Sequence, residues 1–138
     1  IEKEGVGLWM KLIYVASPYA GDVEKNIEFA KKACRHVMEQ GHAFFAPHLV
    51  YPHLLDDHVP EERQAGLDMG IVMLSRCDEL WCYGGRISFG MHCEMEEADR
   101  LGIPVRRVRE LENGFVIGAP RGTLQTEFQP AAPVMGMS

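Results

Sequence analysis

Four short apolar runs, separated by longer stretches of helical period, constrain this chain more than any other feature. The first run, Lys11-Leu-Ile-Tyr-Val-Ala16, is β-rich and stops at Ser17-Pro18. It lacks polar alternation, as expected of a strand buried on both faces of a parallel sheet. From Asp22 to Gln40, the residues Ile27, Ala30, Cys34, Val37 and Met38 recur at helical spacing. Asp22 is a candidate N-cap there and Gly41 a candidate stop. Ala43-Phe-Phe-Ala46 reads as a second strand, ended by Pro47. Pro60 opens a second helix at a favoured first position, and that helix runs to about Arg76. Glu79-Leu-Trp-Cys-Tyr83 is a third strand, a third helix runs from about Ser88 to Leu101, and Pro104 to Val108 is a fourth strand. The β-α-β-α-β-α-β order predicts a single-domain, three-layer α/β fold of Rossmann or flavodoxin type. Its sheet is expected to be mainly parallel, with four or five strands and right-handed crossovers. Phe115-Val-Ile117 is the candidate fifth, edge strand.

A chain of 138 residues suits one core. The domain is expected over residues 11–118. Residues 1–10 read as an N-terminal extension, because Met10 directly precedes the first strand and is a candidate internal start. Residues 119–138 carry prolines, glycines and small side chains, and are expected to form an irregular or mobile tail. The net charge of −6 argues against a broad nucleic-acid surface but leaves room for a local basic pocket. No apolar run approaches the roughly 20 residues that span a bilayer, and the opening residues lack the order of a signal peptide. A cytoplasmic protein without membrane contacts is expected. Cys34, Cys77, Cys82 and Cys93 form no CxxC pair and match no zinc spacing. They are expected to be buried, reduced thiols.

In open parallel sheets, ligands bind beyond the carboxyl ends of the strands. That rule selects Ser17-Pro-Tyr-Ala-Gly21, His48 to Pro60, and Gly84 to Gly90. Gly84-Gly85 lets backbone approach a ligand closely, and the third helix points its N-terminus at the same place, which favours an anion. Ser88 at that terminus reads either as an N-cap or as an anion contact. Neither GxGxxG nor GxxxxGK[ST] occurs, which disfavours the usual dinucleotide and P-loop sites. Glu94 falls within the apolar stripe Met91, Met95, Ala98, Leu101. A carboxylate there either reaches water at the rim or lines a cavity, since burial without a partner is costly. Asp68, among Leu67, Met69, Ile71 and Val72, either pairs with Arg63 or Arg76 or serves the site. His48, His53 and His58 recur in a proline-containing loop without fixed geometry. They read as loop polarity or a substrate contact rather than a metal site. Trp81 and Tyr83 read as core, and Tyr14 likewise, except that its hydroxyl needs a partner.

The segment Ser88-Phe-Gly90-Met-His-Cys-Glu94-Met-Glu-Glu-Ala98, followed by Gly102-Ile-Pro-Val105, resembles the nucleophile segment of the nucleoside 2-deoxyribosyltransferase superfamily. That family's pattern is an aspartate or serine, glycine two later, the nucleophilic glutamate four after that, and alanine four further. Ile13-Tyr14-Val-Ala-Ser17 is similar to its first strand and substrate loop. Asp68, ten residues before Asp78 and twenty before Ser88, resembles the placement of its second active-site aspartate. The resemblance covers most of residues 11–108. One departure is informative: the nucleoside transferases usually carry aspartate where this chain has Ser88. Serine there is similar to the 2'-deoxynucleoside 5'-monophosphate N-hydrolases, where it contacts the 5'-phosphate. A neutral hydroxyl at a helix N-terminus suits a dianion that a carboxylate would repel.

The resemblance implies cleavage of the N-glycosidic bond of a (2'-deoxy)nucleoside 5'-monophosphate through a glycosyl ester on Glu94, with hydrolysis favoured. Base exchange between nucleosides and a non-catalytic nucleotide-binding module are the alternatives. Tyr14 would orient Glu94, and Asp68 would act as general acid or position the base. Ser17, Tyr19, His48, Gly85, Ser88, Gly90 and Met91 are the implied substrate contacts, with Tyr19 stacking on the base or closing the pocket. No metal or organic cofactor is implied. A homodimer or higher homo-oligomer is expected by resemblance, because family active sites are often completed by a neighbour.

Overall fold

A computed structural model describes residues 9–121. The elements are β1 (Leu12–Ala16), α1 (Val23–Glu39), β2 (Ala43–Phe45), α2 (Pro60–Ser75), β3 (Glu79–Tyr83), α3 (Phe89–Leu101), β4 (Val105–Leu111) and β5 (Gly114–Ile117). Two short 3-10 turns, Pro47–Leu49 and Tyr51–His53, shape the connection from β2 to α2. The sheet order is β2-β1-β3-β4-β5. Its first four strands are parallel, and β5 returns antiparallel to β4. The expected α/β architecture is therefore present with five strands. The tail expected over residues 119–138 lies almost wholly outside the described residues, as does most of the expected extension 1–10.

Strand pleating explains the three layers. Ile13 and Val15 on β1 pack with Ala33, Cys34 and Val37 of α1. Tyr14 and Ala16 point the other way and join Leu74 of α2 with Met91, Met95 and Ala98 of α3. A one-residue slip of β1 would exchange these two sets, so both faces fix its register. All five residues of β3 are buried, Glu79 included. The Glu79 carboxylate accepts hydrogen bonds from Trp81 Nε1 (2.8 Å), Lys11 Nζ (2.9 Å) and Arg106 Nε (3.0 Å). Burial raises its pKa, but those donors outweigh burial and hold it down to about 2.

β4 runs past the expected end at Val108 to Leu111. Arg109 and Glu110 carry no apolar signal, and near a sheet edge none is needed. Glu112 and Asn113 turn the chain into β5, with Leu111 opposite Gly114. Cys34, Cys77 and Cys82 are buried as expected, but Cys93 is exposed. Helical phase explains the correction: Cys93 lies two positions from both Met91 and Met95, on the other side of α3. Leu101, expected in the buried stripe, is also exposed where α3 ends at Gly102.

Candidate active site

The crevice lies where the connections diverge. From β1 the chain crosses through α1 to one side of the sheet, and from β3 it crosses through α3 to the other. The carboxyl ends of β1 and β3 are neighbours, so their following loops open together, as expected at a topological switch point. The β1 loop is held by α1: Asn26 Nδ2 donates to the Tyr19 and Ala20 carbonyls, both at 2.9 Å. Asp22 caps α1 through Lys25 N–H at 3.2 Å. The β3 loop is held by β4: Gly84 N–H donates to Val108 O, and Arg107 Nη2 donates to Gly84 O, each at 3.1 Å.

Tyr14 and Glu94 meet between β1 and α3. The Tyr14 hydroxyl donates to Glu94 Oε2 at 2.7 Å, joining β1 to the second turn of α3. Tyr14 is buried, with the Phe45 ring at 5.8 Å and a neighbouring helix backbone at Gly70. A Cβ added at Gly70 would stand 3.5 Å from the Tyr14 oxygen. Burial and then the Glu94 charge push the Tyr14 pKa far up, so the phenol stays a donor. Burial raises Glu94 to about 7, against the opposing effect of the Tyr14 hydrogen bond. Near neutral pH, Glu94 is thus divided between an ionised carboxylate and a neutral acid.

Around this pair, Ser17 is buried at the end of β1. The Tyr19 and His48 rings lie 4.9 Å apart. Burial lowers the pKa of His48, and a hydrogen bond to the Ser17 backbone opposes that shift. His48 is therefore a neutral ring at the crevice. Ser88 Oγ caps α3 by accepting from Met91 N–H at 3.2 Å. That leaves its hydroxyl proton free to donate. Met91 is buried beneath, whereas Gly90 and Gly85 are exposed. The glycine that needs its freedom is Gly84, at φ 113°, packed on Phe29 and Pro18; Gly85 has open space where a Cβ would sit.

Asp68 is placed elsewhere. It is exposed on α2 and accepts from Gln64 Nε2 at 2.8 Å. Asp68 and Gly70 are two positions apart, so when Gly70 faces Tyr14 the aspartate faces outward. Within one chain the structure does not bring Asp68 to Glu94. Reading the sequence missed Gly70, whose only signal is a small residue inside a helix, and Tyr51, whose ring lies 5.9 Å from Phe45. Among the described residues, no three His, Cys, Asp or Glu side chains gather to hold a metal, and no helix is long and apolar enough to cross a membrane.

A family model described as a domain of unknown function, DUF7768, matches residues 11–108, from the start of β1 into β4. The chain belongs to this family. No curated protein matches it. This DUF7768 domain is similar in fold to a 2-deoxyribosyltransferase from the psychrotolerant bacterium Bacillus psychrosaccharolyticus. The TM-score is 0.62 at 20% identity, over 73% of this chain and 74% of that one. It is also similar to a 2-deoxyribosyltransferase from Leishmania mexicana, with a TM-score of 0.53 at 15% identity over 79% of each chain. A conserved protein from Enterococcus faecalis V583 has a TM-score of 0.53 at 15% identity, over 71% of this chain and 62% of that one. These likenesses establish that the DUF7768 domain has a deoxyribosyltransferase-like fold.

Proposed function

We propose that this domain cleaves the N-glycosidic bond of a (2'-deoxy)nucleoside 5'-monophosphate, with Glu94 as nucleophile and water as the favoured acceptor. The observation that carries the reading is the partly buried Tyr14–Glu94 hydrogen bond, 2.7 Å long, between β1 and α3. As the base departs, C1' becomes oxocarbenium-like, and an ionised Glu94 beneath it stabilises that charge. The C1'–N bond breaks, its electron pair goes to the base nitrogen, and a C1'–O bond forms to Glu94. The base takes up one proton. Water then attacks C1', releases the Glu94 carboxylate and returns one proton, leaving free base and sugar phosphate. Tyr14 holds the carboxylate in line. Ser17, Ser88 and the backbone at Gly85 and Gly90 take the sugar hydroxyls and phosphate, while Tyr19 and His48 flank the base over Met91.

Asp68 serves the leaving base in this scheme only if a second chain brings it to a neighbouring crevice. Supporting that arrangement, Leu67, Met69, Ile71 and Val72 are all at least 41% exposed on the same helix. A helix this apolar on its outer side fits a homo-oligomer. A nucleotide substrate and reduced thiols fit a cytoplasmic setting. The likeness in fold to two 2-deoxyribosyltransferases supports base exchange as the second reading.

The test is incubation with nucleoside 5'-monophosphates and nucleosides of both sugars, followed by chromatography for free base. Free base is expected from the wild type, and Glu94→Gln should lower its release at least ~10³-fold while keeping the wild-type circular dichroism. Equal turnover by Glu94→Gln would remove the nucleophile. New nucleoside formed on adding a second base would make the domain a transferase. Nucleotide binding without base release would make it a regulatory module.

A further inference from the structure

Beside the crevice, on the α1 side of the sheet, lies a second cleft of about 600 Å³. Pro18, Phe29 and Leu111 give it apolar walls, Gly84 and Gly85 a backbone ridge, and Arg86 and Arg109 two cations. Arg86 and Arg109 have no hydrogen-bond or ion-pair partner among the described residues. Arg107 holds the Gly84 carbonyl, and its Nε is buried without a hydrogen-bond partner. Burial lowers the Arg107 pKa, Cys82 opposes that shift, and the Arg109 charge adds a smaller unfavourable effect. Three guanidinium groups thus gather around one loop of a chain whose net charge is −6. Arg86 and Arg109 are exposed, so water screens part of the repulsion, and a bound anion would relieve the rest. Glu110 also lines the cleft, but it is ion-paired with Lys32 of α1.

We propose that this cleft binds a diphosphate group, and that the substrate range extends beyond the monophosphate to nucleotides carrying at least two linked phosphates, a nucleoside 5'-diphosphate being the simplest. The proposal rests on reading the Tyr14–Glu94 crevice as a nucleotide site. Continuity supports it: Pro18 and Gly84–Arg86, from the loops that follow β1 and β3, line the cleft, and Ser17 and Ser88 belong to the same two loops. The volume is that of a small-molecule site, which runs to roughly 300–1,000 Å³, and exceeds what one phosphate needs. Arg86 and Arg109 present forked donors that match phosphate oxygens, and the exposed ridge at Gly85 admits them close to backbone.

The test is titration of the full chain with inorganic pyrophosphate, followed by amide ¹H–¹⁵N spectra. Saturable shifts at Gly84 and Gly85 are expected. A double Arg86→Ala, Arg109→Ala variant should weaken binding at least about tenfold, and the double lysine variant should recover part of it. Glu110→Gln should tighten binding, because it removes the one carboxylate in the cleft. Shifts confined elsewhere, or equal affinity in the alanine variant, would overturn the proposal. The titration needs no turnover, so the two readings fail separately. Pyrophosphate binding without base release from any nucleotide keeps the cleft and overturns the glycosidase reading. Base release from monophosphates without pyrophosphate binding does the reverse.

Discussion

At the scale of single residues, the proposed chemistry turns on the protonation of Glu94. Burial raises its pKa to about 7, and in the proposed reaction only the ionised carboxylate attacks C1'. Base release is therefore expected to climb with pH and level off above about 7, with the rate at pH 6 about tenfold below the plateau. Tyr14→Phe deletes the hydrogen bond that opposes the rise. Its rate limb should move to higher pH, so the loss of activity is larger at pH 6 than at pH 8. Rate profiles of the two proteins check this, and an unmoved limb would mean that Tyr14 does not set the charge of Glu94. The phase of Glu94 on its helix was legible from Met91, Met95 and Ala98. Its hydroxyl partner was not legible from spacing, because Tyr14 lies 80 residues away in sequence.

At the scale of elements, α3 and α2 carry separate expectations. Ser88 both caps α3 and faces the crevice, so Ser88→Ala should cost about 1 kcal/mol of stability. It should also weaken use of a nucleoside monophosphate more than use of the free nucleoside. Denaturant melts and paired KM values separate the two effects, and equal losses on both substrates would remove the phosphate contact. For α2, wild type is expected to sediment as an oligomer and Ile71→Glu as a monomer, since a charge would enter an apolar contact. A monomeric wild type would leave the exposed Leu67, Met69, Ile71 and Val72 without that explanation. The bounds of β1, α1, β3 and α3 follow closely from apolar period and cap residues. The length of β4 and the 3-10 turns after β2 do not, because backbone pairing and loop packing leave weak marks on side-chain type.

At the scale of the whole molecule, stability and activity draw on opposite ends of the sheet. Glu79 anchors the amino end of β3, and Glu94 stands at the carboxyl end. The depressed Glu79 contributes stability that is full above its unfolded pKa of about 4.3 and is lost as pH falls through about 2. The raised Glu94 contributes the reverse: its share is full below that unfolded pKa and is lost as pH rises through about 7. Glu79→Gln should cost about 3 kcal/mol at pH 7, because Lys11 and Arg106 lose a buried partner. The same change should flatten the acid side of the stability curve. Urea midpoints from pH 3 to pH 8 measure both, and an unchanged acid limb would show that the network does not govern acid unfolding.

Apolar runs interleaved with helical stripes are local properties, so they settled the α/β layering and the mainly parallel sheet without coordinates. Local phase likewise marked Glu94 and Ser88. Contacts between distant segments needed the packed chain. Packing joined Tyr14 to Glu94, turned Asp68 outward on α2, and put the conformational demand of the Gly84-Gly85 pair on Gly84. It also gathered Arg86 from the loop after β3 and Arg109 from β4 into one basic cleft, with Arg107 of β4 bonded to its Gly84 ridge. The physical reason is common to all four: a side chain's neighbours across a sheet depend on strand order and helix rotation, which no single segment encodes.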